Sequence, residues 1–521
     1  MTRLPEFRNE PPTDFSIPAN RAAFQAAIDY VRSQLGKTYP LHIGANDVTT
    51  GEVIHSINPS RPNEIVGTVA AGRKEDAERA VEIAHEAFKS WQYTDAHVRA
   101  NYLLSAASEM RRRKHEFSAW MVFEIGKSWA EADADTAEAI DFLEYYARLA
   151  IRLTEASNLL VEYPGEQGQL QYIPIGVGAV IPPWNFPNAI MVGMTSAAIA
   201  AGNTVVLKPA SITPIIAYKF AEILWSLGLP HGVLNFLPGP GGAIGDTLVD
   251  HPKTRFIAFT GSKEIGLRIN ERAAKVHPTQ KWIKRTVLEM GGKDAVVVDE
   301  TADLEAAATG IVVSAFGFQG QKCSAGSRAI IVNSVYDRVA EMVVNKTRQL
   351  TQGAPDQGPE IHQGPVSDAK AMSKILEYIE IGTQEGKLLC GGKAVVTPEG
   401  GYFIEPTVFG EVRGDARIAQ EEIFGPVLAL IRANDYDHAL QIANSTEYGL
   451  TGAVYSRKRE RLEQARREFH VGNLYFNRKC TGALVGVHPF GGFNMSGTDS
   501  KAGGPDYLLL FTQAKSVAEK L

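Results

Sequence analysis

The sequence contains few cysteines for its length of 521 residues: Cys323, Cys390 and Cys480 are the only three. An odd number of widely spaced cysteines excludes a disulfide framework, and the absence of a Cys-x-x-Cys pair argues against a zinc site. We therefore expect a protein of a reducing compartment that holds no metal ion.

Charge of one sign and long apolar runs are also missing. The chain has 53 Lys and Arg residues against 59 Asp and Glu residues, and its net charge of -6 gives no general attraction to nucleic acid or anionic membranes. Pro182, Pro183, Asn185 and Pro187 interrupt the most apolar stretch, residues 173–201, so the remaining run is too short to cross a bilayer. The N-terminal segment carries charges and prolines where a secretory signal needs an apolar core. We expect a cytoplasmic protein that binds a small molecule and neither nucleic acid nor a membrane.

Two stretches of the chain show the alternation of strands and helices that is typical of parallel sheets. A chain with 44% hydrophobic residues and this length has room for two or three structural units. The first stretch contains apolar strand runs at residues 177–181, 204–207, 233–236, 255–259 and 286–288. The second contains strand runs at residues 295–298, 328–332, 428–432 and 452–455. The pattern predicts two α/β domains that bind ligands beyond the carboxyl ends of their strands.

The remaining segments predict helices and a small β element. Apolar residues recur at helical spacing over residues 22–35, 74–91, 97–124 and 130–153. Ser262 stands where its side chain would cap a helix that begins at Lys263. Short alternating runs over residues 159–175 predict a hairpin, and the weak alternation of residues 508–517 favours a strand between subunits.

Cys323 lies in the loop Gly317–Gly326, among glycines and just before an apolar strand. Glycines there allow a substrate and a cofactor to approach the sulfur closely. An unselected cysteine is more often a small buried hydrophobe, which is our interpretation of Cys390. A nucleophilic cysteine that attacks a carbonyl also needs donors for the oxyanion and a base.

Two predicted strand ends supply these companions. Asn185, in Pro-Trp-Asn-Phe-Pro, places an amide in a loop that prolines stiffen, and Glu289, in Leu-Glu-Met-Gly-Gly-Lys, places a carboxylate beside two glycines. Taken alone, Asn185 is more often a turn residue and Glu289 a solvated acid. Together with Cys323 they form the set that the chemistry requires.

Six motifs occur in the order of one known family. They are PWNFP (183–187), KPA (208–210), FTGSKEIG (259–266), LEMGGK (288–293), GQKCSAG (320–326) and EEIFGPV (421–427). From about residue 40 onward the chain resembles the aldehyde dehydrogenase superfamily. The resemblance implies an α/β fold with a Rossmann-like NAD-binding domain (1–157 and 177–290), a catalytic domain (291–490) and a small β-hairpin and strand oligomerisation element (158–176 and 507–521). It also implies a homodimer and leaves a trimer of dimers open.

The resemblance implies roles for Cys323, Asn185 and Glu289. Cys323 would attack the aldehyde, while its own backbone N–H and the Asn185 amide hold the oxyanion. After hydride transfer, Glu289 would deprotonate the water that hydrolyses the thioester, a task that suits a carboxylate of raised pKa.

For the cofactor, the resemblance implies NAD. Gly261, Ser262 and Gly266 match the turn that presents a helix N-terminus to the pyrophosphate. The other implied contacts are Lys208 to the adenosine ribose, Glu422 to the nicotinamide ribose, and Phe424, Pro183 and Trp184 around it, although Phe424 fits a core position equally well. Ser211 stands where many NAD-specific members have an acid, so NADP remains open.

The segment 480–508 resembles the delta-1-pyrroline-5-carboxylate dehydrogenase branch of the superfamily. Such enzymes oxidise L-glutamate gamma-semialdehyde to L-glutamate in the second step of proline degradation. Ser324, Gly482 and Ala483 match the anchor for the substrate's alpha-carboxylate and alpha-ammonium groups. The resemblance further pairs Glu138 with Lys322 near the aldehyde and places Phe186 and Phe490 along the aliphatic part. On geometry alone, Glu138 is a surface acid and the two rings are packing residues.

Two alternatives remain at this point. The same scaffold oxidises other short semialdehydes, such as succinate semialdehyde, and product analysis distinguishes these. A homologue that has lost activity and serves as a binding or structural protein is the non-enzymatic alternative, because a fold alone does not establish activity.

Overall fold

The computed structural model describes residues 4–155 and 160–521. Residues 158 and 159, where the expected oligomerisation element and hairpin begin, lie outside the described residues, as do residues 1–3. In the described ranges the helices are α1 (Pro18–Arg32), α2 (Lys74–Trp91), α3 (Ala96–Arg112), α4 (Lys114–Ile125), α5 (Trp129–Glu155), α6 (Ala189–Ala200), α7 (Pro214–Ser226), α8 (Asp246–Asp250), α9 (Lys263–Ala273), α10 (Leu304–Phe316), α11 (Tyr336–Thr347), α12 (Ala369–Glu385), α13 (Arg417–Gln420), α14 (Tyr436–Ala443) and α15 (Arg459–Glu468).

The strands of the same ranges form two large sheets and several small ones. They are β1 (Lys37–Tyr39), β2 (Leu41–Ile43), β3 (Asn46–Val48), β4 (Val53–Asn58), β5 (Arg61–Ala70), β6 (Glu166–Pro174), β7 (Val177–Ile181), β8 (Thr204–Leu207), β9 (Leu234–Phe236), β10 (Thr254–Thr260), β11 (Arg285–Glu289), β12 (Ala295–Val298), β13 (Arg328–Val332), β14 (Lys387–Cys390), β15 (Ala394–Val395), β16 (Phe403–Ile404), β17 (Thr407–Gly410), β18 (Val427–Ala433), β19 (Tyr448–Gly449), β20 (Thr451–Tyr455), β21 (Asn473–Phe476), β22 (Phe493–Asn494) and β23 (Thr512–Lys520).

The first large sheet has the strand order β11-β10-β7-β8-β9-β2-β3. Strands β7 to β11 are parallel, and β2 joins them antiparallel to β9. All five parallel strands are predicted from the sequence to within one residue at either end. Their apolar runs have this form because helices cover a parallel sheet on both faces and bury every residue of the strand.

The second large sheet has the order β14-β17-β18-β13-β12-β20-β21. Its strands are parallel except for β14, which pairs antiparallel with β17 at the edge. Strands β12 and β13 have the predicted bounds. The two sheets confirm the predicted α/β fold. Glu289 is the last residue of β11 in the first sheet, and Ala295 is the first residue of β12 in the second.

Three expectations need correction. The predicted helix over 97–124 is two helices, because the backbone leaves helical geometry at Arg113 (φ -104°, ψ 20°). The turn lets α4 enter the core, where it packs on α1, α5 and α7. Ser262 does precede α9, but its side chain makes no capping hydrogen bond.

The third correction concerns the hairpin. Strand β6 pairs along its whole length with the C-terminal strand β23, from Glu166 opposite Lys520 to Pro174 opposite Thr512. Of the upstream residues that the structure describes, from 160 onward, Tyr163 alone forms a bridge, to Glu166. Strand β23 has nine residues and can form hydrogen bonds along the whole of β6. The short segment around Pro164 cannot, because proline has no backbone N–H to donate. Among the helices that the structure describes, none has the length and apolar character needed to span a membrane.

Candidate active site

The motifs of the first sheet follow the carboxyl ends of its parallel strands. Residues 183–185 follow β7, Lys208 follows β8, Gly261 follows β10, and Glu289 is the last residue of β11. Because parallel strands end at the same edge, these residues share one side of the sheet. Such an edge is the usual ligand crevice of an open α/β sheet.

The second sheet contributes the amino ends of its strands. Cys323 and Ser324 precede β13, Glu422 and Phe424 precede β18, and Asp294 directly precedes β12. Since these strands are parallel, their preceding loops also lie at one edge. Loops from both sheets therefore face the same space.

The glycine pair after Glu289 lets these loops meet. The Gly292 amide donates to Oε1 of Glu422 at 2.9 Å. A Cβ atom on Gly292 would collide with the carbonyl oxygen of Cys323, and one on Gly291 would collide with the Glu422 carboxylate. The loop that carries Glu289 thus contacts both the cysteine loop and the Glu422 loop without space for a side chain.

Asn185 lies against the cysteine loop. Its Nδ2 atom donates to the carbonyl oxygen of Gln321 at 2.9 Å, two residues before Cys323, and its side chain is buried. An amide nitrogen carries two hydrogens, so one N–H remains for a ligand oxygen. The neighbouring Trp184 ring meets Phe424 edge to face with centroids 5.4 Å apart, which joins the two loops on the cofactor side.

The surroundings of Cys323 disfavour its thiolate. Burial raises the pKa of the thiol, and the negative charges of Asp294, Glu422 and Glu289 raise it further. The thiol is therefore protonated at neutral pH in the ligand-free protein. Burial likewise raises the pKa of Cys480, which is fully buried where Cys323 is only partly so, to about 12, and the Cys480 Sγ donates to the carbonyl oxygen of Ser324 at 3.5 Å.

Glu289 is buried and held by two donors. The Ser500 hydroxyl donates to Oε1, and the Gly492 amide donates to Oε2 at 3.3 Å. Burial outweighs these hydrogen bonds and raises the pKa of Glu289 to about 8. A carboxylate that titrates near neutral pH suits a general base. Ser500 lies inside the tail segment that marks the family branch, but no local pattern assigns it this contact.

The cofactor candidates offer an unpaired cation and a helix end. Lys208 is 6% exposed, and burial alone lowers the pKa of its ammonium to about 8, since no carboxylate of the described residues lies near it. A buried ammonium without an acidic partner fits a ligand that carries hydroxyl or phosphate oxygens. Ser211, three residues on, is partly exposed.

The turn before α9 is hydrogen-bonded to Glu289. The Gly261 amide donates to the carbonyl oxygen of Glu289 at 3.0 Å. A Cβ on Gly266 would collide with the sulfur of Met290, so glycine at this position allows α9 to pack on the strand of Glu289. Ser262 is exposed at the start of the helix, where backbone N–H groups are available to an anion.

Lys322 forms its ion pair with Glu131, at 2.7 Å, and the expected pairing with Glu138 is wrong. Both acids lie on α5, two helical turns apart, and the first turn of that helix is the one within reach of the cysteine loop. Glu138 is a separate, partly buried carboxyl whose pKa is raised to about 8 by burial and by the neighbouring Asp135. It is therefore not a surface acid.

The Phe186 ring lies between two ammonium groups. Lys127 Nζ is 4.1 Å from the ring centroid and Lys322 Nζ is 5.9 Å from it. Lys127 also pairs with Asp135 at 2.6 Å, with both side chains fully buried, and Asp135 accepts a hydrogen bond from the Ala189 amide at 2.6 Å. The sequence gives no signal for this pair, which connects α5 to the loop of Asn185 and Phe186.

The loop after β21 completes the candidate substrate side. Arg478 donates to the carbonyl oxygens of Thr481 and Gly482 at 2.8 and 3.0 Å. Gly482 has φ +75°, a conformation that favours glycine. The hydrogen bond from Cys480 to the carbonyl oxygen of Ser324 joins the start of this loop to the cysteine loop. Ala483 and Phe490, which follow in sequence, are partly buried.

Comparison with known proteins assigns the family. The model of the aldehyde dehydrogenase family matches residues 46–517. The chain belongs to the aldehyde dehydrogenase family. The match extends over both large sheets, and the resemblance read from six short motifs is confirmed.

Two similar proteins share one name, and a third has another. The 1-pyrroline-5-carboxylate dehydrogenase of Geobacillus kaustophilus is 62% identical over 514 residues, which cover 98% of this chain and 99% of the relative. The crystal structure of 1-pyrroline-5-carboxylate dehydrogenase from Thermus with bound NAD is 54% identical, covers 100% of both chains and has a TM-score of 0.97. Proline utilization A from Bdellovibrio bacteriovorus is 44% identical over 100% of this chain and 54% of that one, with a TM-score of 0.97.

Proposed function

We propose that this protein is an NAD-dependent dehydrogenase that oxidises L-glutamate gamma-semialdehyde, the open form of delta-1-pyrroline-5-carboxylate, to L-glutamate. The observation that carries the proposal is the 62% identity over 98% of the chain to a 1-pyrroline-5-carboxylate dehydrogenase. The convergence of Cys323, Asn185 and Glu289 supports it chemically and speaks against an inactive homologue.

In the proposed first half-reaction, the Cys323 sulfur bonds to the aldehyde carbon as the thiol gives up its proton to solvent water. The carbonyl oxygen becomes an oxyanion, which accepts hydrogen bonds from the free N–H of Asn185 and from the Cys323 backbone. The hydrogen on the former aldehyde carbon then leaves with its electron pair, so the carbon is oxidised to a thioester. Bound NAD supplies the acceptor for this hydride.

In the second half-reaction, Glu289 takes a proton from water, and the resulting hydroxide attacks the thioester carbon. The carbon–sulfur bond breaks, the acid is released, and the proton that Glu289 took from water passes to the Cys323 sulfur and regenerates the thiol. Ser500 and Gly492 hold the Glu289 carboxylate in one place while its raised pKa makes it basic enough for the task.

The proposed cofactor contacts use residues whose state fits NAD. Lys208, buried without an acidic partner, would contact hydroxyl oxygens of the adenosine ribose, and Glu422 those of the second ribose. Gly261 and Ser262 would present the α9 N-terminus to the pyrophosphate, with Gly266 allowing the close packing behind it. Pro183, Trp184 and Phe424 would border the nicotinamide. Ser211 does not repel a 2'-phosphate, so we propose slower use of NADP as well.

For the amino acid end of the substrate, the proposed contacts are polar. Ser324 and the backbone N–H groups of Gly482 and Ala483 would bind the alpha-carboxylate, and Glu138 would bind the alpha-ammonium. Phe186 and Phe490 would border the methylene groups between this end and the aldehyde.

The test is NADH formation with pyrroline-5-carboxylate, succinate semialdehyde and propanal. We expect kcat/KM for pyrroline-5-carboxylate to exceed the other two by at least about tenfold. Equal values for all three would remove the substrate assignment. Cys323→Ala should abolish turnover, whereas Cys390→Ala, the matched control on an edge strand, should retain it; an active Cys323→Ala variant would contradict the mechanism.

We also propose the domain division 1–157 with 177–290, 291–490, and 158–176 with 507–521, and a homodimer formed through the last of these. Val161 is 95% exposed and Tyr163 is 70% exposed beside the β6–β23 ribbon. In the described residues these two strands pair only with each other, and an isolated two-stranded ribbon gains stability from a partner sheet. Light scattering should give the dimer mass, or that of a trimer of dimers, and Val161→Glu with Tyr163→Glu should lower it. A monomeric wild type would contradict the proposal.

A further inference from the structure

The N-terminal arm, residues 7–13, joins two elements of the candidate substrate site. Asn9 Nδ2 donates to Oδ2 of Asp141 on α5 at 2.8 Å and to the carbonyl oxygen of Val485 at 2.9 Å. An amide nitrogen has two hydrogens, and both are used here. One side chain therefore connects helix α5 to the loop of residues 481–486, which we call the anchor loop.

The two acceptors stand close to proposed substrate contacts. Asp141 lies one helical turn after Glu138, the proposed partner of the alpha-ammonium. Val485 follows Gly482 and Ala483, whose N–H groups are the proposed partners of the alpha-carboxylate. Asn9 thus ties together the two elements that would bind opposite charges of the same amino acid group.

The rest of the arm is fixed in place around Asn9. The Glu10 amide donates to Oδ1 of Asp141 at 2.6 Å, and the Glu10 side chain pairs with Arg111 at 2.7 Å. The Phe7 ring meets Tyr145 edge to face at 5.1 Å, and a Cβ on Gly486 would lie 3.1 Å from the same ring. The buried Asp141 carboxylate therefore accepts two hydrogen bonds from the arm, one from the Asn9 side chain and one from the Glu10 amide.

The anchor loop depends on such outside support. Gly482 is exposed and adopts a left-handed conformation, and Leu484 within the loop and Val487 just after it are 47% and 55% exposed, so that Val485 is the one buried aliphatic side chain of the loop. A loop with few buried apolar contacts samples many conformations unless hydrogen bonds hold it, and that freedom is lost again when a ligand binds.

We propose that Asn9 is a specificity-determining positioning residue, which holds the anchor loop at the separation from α5 that the amino acid end of the substrate spans. This inference rests on the proposed function. Cys323, Asn185 and Glu289 are held by other contacts, so the loss of Asn9 should weaken binding of the amino acid end and leave the chemistry on the aldehyde end intact.

The test compares two substrates in Asn9→Ala. We expect KM for pyrroline-5-carboxylate to rise about tenfold, as the loss of roughly 1.4 kcal/mol of binding energy implies. The inhibition constant of the product L-glutamate should rise by a similar factor. The kcat for pyrroline-5-carboxylate, kcat/KM for propanal, which lacks both alpha groups, and KM for NAD should stay within about twofold of wild type.

Asn20→Ala is the matched control. Asn20 also lies in the N-terminal region and donates to the carbonyl oxygen of Asp14 at 2.9 Å, but it makes no contact with the anchor loop, so its KM values should equal those of wild type. Should Asn9→Ala be insoluble, Asp141→Asn serves instead. An amide at position 141 replaces one of the two carboxylate oxygens that accept hydrogen bonds from Asn9 and Glu10 with a donor. Asp141→Asn should produce the same rise in KM for pyrroline-5-carboxylate, without a change in kcat/KM for propanal.

The outcomes separate this inference from the proposed function. A wild type without preference for pyrroline-5-carboxylate would overturn the proposed function. A wild type with that preference and an Asn9→Ala variant of unchanged KM would overturn only the role of Asn9. Equal losses with propanal and pyrroline-5-carboxylate would also overturn it, since they indicate a general structural role.

Discussion

The ammonium of Lys322 lies 2.7 Å from the carboxylate of Glu131, so the residue before the nucleophile is tied to the first turn of α5. Glu138, on the same helix, keeps its carboxyl free and has a pKa raised to about 8. Glu131 and Glu138 therefore differ in kind: Glu131 is an ionised partner in an ion pair, and Glu138 has a carboxyl that is mainly protonated at neutral pH in the absence of substrate.

We predict different effects for the amide variants of these two acids, one on stability and one on substrate binding. Glu131→Gln should lower the free energy of unfolding by about 2 kcal/mol, because it leaves the mostly buried Lys322 ammonium without its partner. Glu138→Gln should leave stability nearly unchanged at pH 7, because the raised pKa keeps the Glu138 carboxyl mainly neutral in the absence of substrate. It should raise KM for pyrroline-5-carboxylate, because only a carboxyl can ionise beside the bound alpha-ammonium. Urea unfolding and steady-state kinetics measure both. Equal destabilisation by the two variants would contradict the assignment.

We predict that Asn185→Ala lowers kcat by about 10² to 10³-fold, the usual cost of one oxyanion donor. The hydrogen bond to Gln321 is also lost, so Asn185→Asp, which keeps the shape but places a negative charge beside the oxyanion, should be at least as slow. KM for NAD should not change. A kcat within a few-fold of wild type would exclude the amide from oxyanion binding.

We predict that the hydrolysis step becomes faster as the pH rises through about 8 and then levels off, because Glu289 must be deprotonated to accept a proton from water. Glu289→Gln should retain the first burst of NADH and lose steady-state turnover by about 10² to 10⁴-fold. Stopped-flow absorbance separates the two phases. Glu264→Gln, on the exposed face of α9, is the control and should behave as wild type. A steady-state rate that survives in Glu289→Gln would assign the base elsewhere.

We predict that Ser211→Asp narrows cofactor use. A carboxylate at this position repels a 2'-phosphate, so KM for NADP should rise about tenfold or more while KM for NAD changes by no more than about twofold. Ser211→Ala adds no charge and should leave the ratio of the two KM values as in wild type. If both variants change the ratio equally, the discrimination does not depend on charge at position 211.

Much of the two large sheets is predictable because their strands carry a strong local signal. Runs such as Val177–Ile181 and Ala295–Val298 are apolar throughout, as strands buried on both faces must be. The five strands between Lys37 and Ala70 are absent from the sequence prediction. Three of them have only three residues each and mix polar with apolar side chains, so no period is established. The break at Arg113 also lacks a local signal, since neither glycine nor proline stands there.

The candidate site is predictable where a motif lies next to a predicted strand and unpredictable where a contact joins distant segments. Cys323, Asn185 and Glu289 belong to the first kind. Ser500, which donates to Glu289, and Asn9, which donates to Asp141, belong to the second. Their partners are more than a hundred residues away, and neither side chain stands in a pattern that distinguishes it from an ordinary surface residue.

The hydrogen bond from the Gly261 amide to the Glu289 carbonyl oxygen has a consequence for attempts to redesign the enzyme. The turn proposed for the pyrophosphate and the base proposed for water activation move as one unit, so remodelling that turn to suit a different dinucleotide would displace the hydrolytic carboxylate as well. Ser211, reached through β8 and outside this linkage, offers a route to new coenzyme preference that leaves thioester turnover untouched.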